Sequence, residues 1–323
     1  MTSKPAYISL GDPSGIGPEV FIKSLHSSKI QENLSSFIVV SSEEVLKRTL
    51  KNLNQSYKIN LISNESDTLD NAINLLHVEG CTEYDLGFPE ESNAKYILDC
   101  LKKASDLSNK NKSCLITGPI NKKILSSYEK GFSGHTEFLK NRFKSDEVLM
   151  FLTNGVLHLG IITTHIPLSQ VSSSISKELI IKKYKLLNDG LKNIFKISKP
   201  RIGVLGLNPH AGESGIIGTE EGEVIAPAIN ELVCDGYNAI GPVSADTAFA
   251  VGGYDAILSM YHDQALPVIK TMDFNKTVNI TLGLPFLRVS VDHGTAEDIA
   301  ADYSANSESM LQAMLISLNK HET

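Results

Sequence analysis

Short apolar runs closed by turn residues alternate along the chain with stretches in which apolar residues recur every three to four positions, the pattern of strands alternating with helices. Three runs share one layout. Val156 to Thr164 runs into His165, the apolar residues Ile202, Val204, Leu205 and Leu207 stop at Asn208-Pro209 so that His210 sits just past them, and Ala256 to Tyr261 runs into His262. The gaps, 45 residues from His165 to His210 and 52 from His210 to His262, have room for a crossover helix and one further strand. The three runs can therefore lie parallel, with their histidines converging on the sheet edge where open α/β folds bind ligands.

Other runs predict strands at Ala6 to Leu10, Phe37 to Val40, Asn60 to Ile62, Ser113 to Thr117 and Asn238 to Val243. Val148 to Thr164 reads as two strands about an Asn154-Gly155 turn, which adds one antiparallel pair to a parallel sheet. Helices are expected over Ala94 to Leu107, with Tyr96, Ile97, Cys100, Leu101 and Ala104 on one face, and after a Ser176 cap, with Ile180, Tyr184, Leu187, Leu191 and Ile194 in register. Thr136 is a candidate cap for Glu137 to Phe143, Thr295 for a helix after Asp292 to Thr295, and the last helix is placed at Ser307 to Leu318. Residues 80 to 93 have turn chemistry and no period.

Chemistry concentrates at the expected strand ends. One histidine after a strand is more often a hydrogen-bonded loop residue than a ligand, but three on one edge suggest a metal site with an open position. Gly11 to Glu19 (GDPSGIGPE) gives strand, glycine loop and helix start, yet the chain holds neither GxGxxG nor GxxxxGK[ST]. Gly212, Gly215 and Gly218 make a flexible loop at a helix start, a place for a cofactor, although Glu220, Glu221 and Glu223 argue against a pyrophosphate and leave a ribose or adenine. Lys122 either binds an anion or simply begins a helix. Asp246 and Asp263 are candidate proton carriers or partners of the metal-binding histidines. Arg288 stands in the apolar context LGLPFLR, where a cation usually needs an anionic partner.

At 323 residues the chain exceeds the size at which single cores stop growing, so two lobes are expected. A net charge of -7 argues against a nucleic-acid protein. Cys81, Cys100, Cys114 and Cys234 form no CxxC pair, which predicts free thiols in a reducing cytoplasm, and no apolar run is long enough to span a bilayer.

The motifs GDPSGIGPE (11–19), TGPINK (117–122), GHTEFL (134–139), HIPL (165–168), LNPHAGE (207–213), SADT (244–247), YHDQ (261–264) and VNITLGLPFLRVSVDHGTAEDIA (278–300) together resemble the 4-hydroxythreonine-4-phosphate dehydrogenase family of pyridoxal phosphate (vitamin B6) biosynthesis. The resemblance spans nearly the whole chain. It implies an α/β, two-lobed α/β/α sandwich with a mostly parallel sheet and some antiparallel strands, like that of isocitrate and isopropylmalate dehydrogenases, in which NAD or NADP binds without a Rossmann motif. It implies that His165, His210 and His262 hold a divalent metal (Zn, Mg or Co), that His135 and Thr136 touch the substrate, and that Lys270, Asn279 and Arg288 complete its pocket. A homodimer with a shared active site rests on the resemblance alone. The lobes are expected at 1–130 with 240–323 and at 131–239, the second carrying the dimer contacts, with the active-site cleft between them. Val289 departs from the threonine usual after the arginine, and Ala301 from a glycine common near the following helix.

The reaction implied is metal-assisted oxidation of 4-phosphohydroxy-L-threonine by NAD(P)⁺, followed by decarboxylation of the β-keto acid. Two alternatives stand beside it. A metal-dependent phosphatase or hydrolase would use the same histidines and cations without a dinucleotide. A non-catalytic binding protein would have lost ligands, and all three histidines are present.

Overall fold

The computed structural model describes residues 4–81 and 83–319. Its strands are β1 (Ala6–Ser9), β2 (Phe37–Ser41), β3 (Ile59–Leu61), β4 (Ile73–His77), β5 (Cys114–Thr117), β6 (Leu149–Thr153), β7 (His158–Thr163), β8 (Arg201–Leu205), β9 (Asn238–Val243), β10 (Ala256–Tyr261), β11 (Val278–Leu282) and β12 (Leu287–Val291). The chain forms two compact units, one running to Ser145 and resuming at Leu284, the other Asp146–Gly283. Residues 131–145 thus group with the first unit and 240–283 with the second.

The first unit orders its strands β3-β4-β2-β1-β5-β12, all parallel. Helix Ala94–Asn111 lays Tyr96, Ile97, Leu101 and Ala104 against Tyr7, Ile38, Val40 and Leu115 of the strands, the face its three-four spacing predicts. Each such side chain, fully buried, stabilises by roughly 1.5–3 kcal/mol before entropy is counted. The chain leaves β1 toward β2 on one side and reaches β5 on the other, so the switch point lies between β1 and β5. The loops after these strands are locked together. Gly118 N donates to Ser9 O at 2.7 Å and Asp12 N to Pro119 O at 3.0 Å, and a Cβ on Gly118 would collide with Leu10 O.

The second unit orders its strands β11-β6-β7-β10-β8-β9. β6 and β7 form the antiparallel hairpin expected about Asn154-Gly155, and β11 adds a second antiparallel pairing to β6. The rest is parallel. Helix Lys177–Phe195 begins where expected, with Ser176 Oγ accepting from Leu179 N at 3.1 Å, and it buries Ile180, Tyr184, Leu187, Leu191 and Ile194. Leu159, Ile161, Leu205, Ile257, Leu266 and Ile269 belong to one buried cluster of this unit.

Two local expectations are corrected, and three strands, β4, β11 and β12, add to those expected. β4 was not foreseen, because Asn74 interrupts its apolar run; the buried Asn74 side chain instead satisfies the backbone of Leu34 and Leu69. Thr136 is no cap, since the helix starts one residue earlier, His135–Arg142 after Gly134. No helix follows Thr295; residues 297–303 are turns, with Ala296 and Tyr303 at positive φ, and the Thr295 hydroxyl donates to Glu297 at 2.8 Å. None of the four cysteines is in a disulfide, and among the described residues no helix is long and apolar enough to cross a membrane.

Candidate active site

In the first unit the expected substrate residues His135, Thr136 and Arg288 come together. Arg288, second residue of β12 and 3 % exposed, donates from Nε and Nη2 to Thr117 Oγ1 at 3.2 and 2.9 Å and from Nη1 to Thr136 Oγ1 at 3.3 Å. Burial lowers its pKa to about 10, partly offset by Glu137, so the guanidinium stays charged at neutral pH. Burial, then the charges of Arg288 and Lys122, hold His135 well below the usual imidazole range, which makes it a neutral donor or acceptor beside a cation. Lys122 is the residue sequence reasoning undervalued. It does begin a helix, Lys122–Tyr128 with Asn121 as cap, yet its charge reaches His135 and its Nζ lies 3.9 Å from where a Gly134 Cβ would stand. The available signal was its place in TGPINK, directly after Thr117. A cation pair lined with hydroxyls and a neutral imidazole is an anion site of the kind phosphate takes.

In the second unit the three histidine-bearing strands are neighbours. β10 pairs in parallel with β7 on one side and β8 on the other, so His165, His210 and His262 all follow the same ends of adjacent strands. His165 and His262 face each other with ring centroids 5.8 Å apart, and both line a cavity of about 250 Å³ with Thr163, Thr164, Tyr261 and Asp263. Nδ1 of His262 meets Asp263 Oδ1 at 2.6 Å; in the tautomer that donates this bond, Nε2 keeps the lone pair. His210 stands with Asp246, Nδ1 to Oδ2 3.7 Å. Asp246 is held below the usual carboxylate range by the Ser244 hydroxyl, 2.5 Å away, and is ionised at neutral pH.

Among the described residues no three His, Cys, Asp or Glu side chains are gathered closely enough to hold a metal ion. The expected triad is represented by the His165–His262 pair and by His210 with its own carboxylate. The donor chemistry nevertheless suits a divalent ion, since imidazoles backed by carboxylates are the set that such ions take.

Backbone strain marks the same edge. His165 has φ 37°, and His210, Ala211, Gly212, Glu213 and Ser214 form a left-handed turn with φ from 46° to 79°. Outside glycine that conformation costs roughly 1–2 kcal/mol per residue and persists only where the surroundings impose it. Here the surroundings include Glu221, 5 % exposed, whose Oε1 accepts from Leu207 N and Asn208 N and whose Oε2 accepts from Asn208 Nδ2. Burial raises the Glu221 pKa, and the bonds from Asn208 and the backbone outweigh it, leaving the group ionised. Two of the three glycines assigned to a cofactor have an internal role in this arrangement. A Cβ on Gly212 would stand 2.5 Å from Glu221 Oε2, and one on Gly218 would collide with Asn208 Nδ2, whereas Gly215 faces open space.

Lys270 lies in the last turn of helix His262–Met272, its Nζ 5.5 Å from the Phe274 ring centroid, and Asn279 is the second residue of β11.

Comparison with known proteins places this geometry in a family. The chain is 39 % identical over 306 residues, 93 % of its length and 92 % of the relative's, to the 4-hydroxythreonine-4-phosphate dehydrogenase of Pseudoalteromonas translucida. It is 38 % identical to that of Marinobacter nauticus, covering 97 % and 95 %. The crystal structure of the Klebsiella pneumoniae 4-hydroxythreonine-4-phosphate dehydrogenase superposes with a TM-score of 0.89 at 32 % identity, over 99 % of both chains. Residues 33–317 match the family described as pyridoxal phosphate biosynthetic protein PdxA, and the chain belongs to that family.

Proposed function

We propose that this chain is an NAD(P)-dependent 4-hydroxythreonine-4-phosphate dehydrogenase, oxidising 4-phosphohydroxy-L-threonine to 2-amino-3-oxo-4-phosphooxybutanoate, which decarboxylates to 3-amino-2-oxopropyl phosphate on the way to pyridoxal 5'-phosphate. The observation that carries the reading is the trio β7-β10-β8, adjacent and parallel, each strand followed by a histidine, in a chain whose relatives bear that name. Arg288, His135, Thr136, Lys270 and Asn279 are assigned to the substrate by the family resemblance; the buried guanidinium would grip the phosphate with parallel hydrogen bonds, and neutral His135 would add a donor without changing the charge. His165, His210 and His262 would hold one divalent ion (zinc, magnesium or cobalt), which supplies Lewis-acid polarisation of the substrate hydroxyl. Asp246, ionised and beside His210, accepts the hydroxyl proton, and Asp263 fixes the His262 ring.

NAD or NADP, once bound, would supply the hydride acceptor. Among the glycines assigned to it, Gly215 is the position where a ligand can approach the backbone. A homodimer with a shared site rests on the family resemblance. Free cysteines suit a reducing cytoplasm. Elemental analysis of His210→Ala tests the metal assignment: loss of stoichiometric metal is expected, and full metal content contradicts it.

A further inference from the structure

The left-handed turn that carries His210 has a buried cause. Past β8, Gly206 N still donates to Val243 O at 2.9 Å, and the next two backbone donors, Leu207 N and Asn208 N, both point at Glu221 Oε1, at 2.8 and 2.7 Å, while Asn208 Nδ2 donates to Glu221 Oε2 at 3.0 Å. These are the two residues that aim the chain into Pro209 and His210. The same carboxylate fills the space beneath Gly206 and Gly212, so it underlies both ends of the bend. Asn208 Nδ2 also donates to Glu220 Oε2 at 2.8 Å, and Glu220 Oε1 accepts from Ser172 Oγ at 2.7 Å, in the segment that follows His165. One chain of hydrogen bonds, Ser172 to Glu220 to Asn208 to Glu221, therefore joins the segments that follow two of the histidine-bearing strands. Glu221 also opens a π-helical turn, Glu221–Ile225, a local irregularity that such turns commonly show near functional sites. Sequence alone reads the Glu220-Glu221 pair as an acidic helix start; their hydrogen bonds turn them inward instead.

We propose that Glu221, through Asn208 and with Glu220, is the positioning residue of His210, holding the strained turn so that this imidazole stands at the edge shared by His165 and His262. The inference rests on the reading of His210 as a metal ligand. A buried carboxylate with three N–H donors is replaced poorly even by its isostere, because in Glu221→Gln the amide NH₂ would face either the Asn208 amide or the two backbone N–H groups, donor against donor.

The test uses the full-length chain with cobalt(II) alone as probe, following visible absorption on titration, alongside the NMR resonances of the His210 imidazole and near-ultraviolet circular dichroism. Glu221→Gln is expected to weaken cobalt binding by about 10-fold or more and to shift the His210 resonances while the dichroism is retained. In a His210→Ala background the same substitution is expected to change cobalt affinity by less than about twofold, which a merely structural role would not produce. Unchanged affinity together with unshifted resonances in Glu221→Gln, or an equal loss in both backgrounds, overturns the proposal. If His210→Ala binds cobalt as tightly as the unaltered chain, the metal reading fails by itself, and the His210 resonances decide the positioning claim: shifted in Glu221→Gln they support it, unshifted they overturn it. Should Glu221→Gln not fold, Asn208→Ala carries the same measurements with the same outcomes.

Discussion

Arg288 spends two of its donors, Nε and Nη2, on a single hydroxyl, Thr117 Oγ1, at 3.2 and 2.9 Å. The two residues sit on paired strands, β12 and β5, and the contact fixes the guanidinium at the end of β5 beside His135 and Thr136. Thr117→Val keeps the shape and removes the acceptor. It is expected to raise KM for the phosphorylated substrate by about 10-fold, the equivalent of one net hydrogen bond to a charged group, with kcat within about threefold. Steady-state kinetics read both.

Arg288 itself is expected to be irreplaceable. Arg288→Lys keeps the charge and loses the planar fork, so kcat/KM is expected to fall by at least about 100-fold, and Arg288→Ala further. If Arg288→Ala leaves KM for the phosphorylated substrate unchanged, or if the unphosphorylated analogue is oxidised equally well, the phosphate assignment is wrong.

Much of this was legible in the sequence, for identifiable reasons. The β7, β8 and β10 runs are apolar, bounded by turn residues and followed by histidine, and parallel pairing put their ends on one edge as their spacing requires. The face of helix Lys177–Phe195 was legible because five large residues repeat at helical period. β4 was not, because a buried asparagine breaks its apolar run, and one of the groups that satisfy it, Leu34 O, is 40 residues away. The role of Glu221 was hidden for the same reason: a glutamate after Thr219 reads as an exposed first-turn acid, and only the fold brings Leu207 and Asn208 onto it. The glycines of 212–218 were assigned to a ligand, whereas packing against Glu221 and Asn208 accounts for two of them.

Asp246 is expected to act on the proton and Asp263 on a ring. Asp246→Asn is expected to lower kcat by about 100-fold or more with cobalt binding retained, whereas Asp263→Asn is expected to weaken cobalt binding about 10-fold. Paired kinetic and binding measurements on the two variants check the division of roles; a reversed pattern exchanges them.

Acid sensitivity is expected from His158, which packs against both the Phe151 and Phe195 rings, themselves in contact, with Nδ1 2.8 Å from Thr153 Oγ1. Burial lowers its pKa to about 4. An imidazole that titrates near 6.5 when unfolded and near 4 when folded contributes stability that is present above 6.5 and lost as pH falls from there toward 4, up to about 3 kcal/mol. His158→Phe is expected to flatten that part of the stability–pH curve, as read by denaturant unfolding between pH 7 and pH 4; an unchanged slope contradicts the assignment.

The central claim is tested most directly by a reduction assay with purified protein, 4-phosphohydroxy-L-threonine, NAD⁺ or NADP⁺, and a divalent ion, with and without chelator, while free phosphate is measured in parallel. Reduced dinucleotide that depends on substrate and disappears with chelator, without stoichiometric phosphate release, is the expected result. Phosphate release with no reduced dinucleotide would contradict it and put a metal-dependent phosphatase in its place.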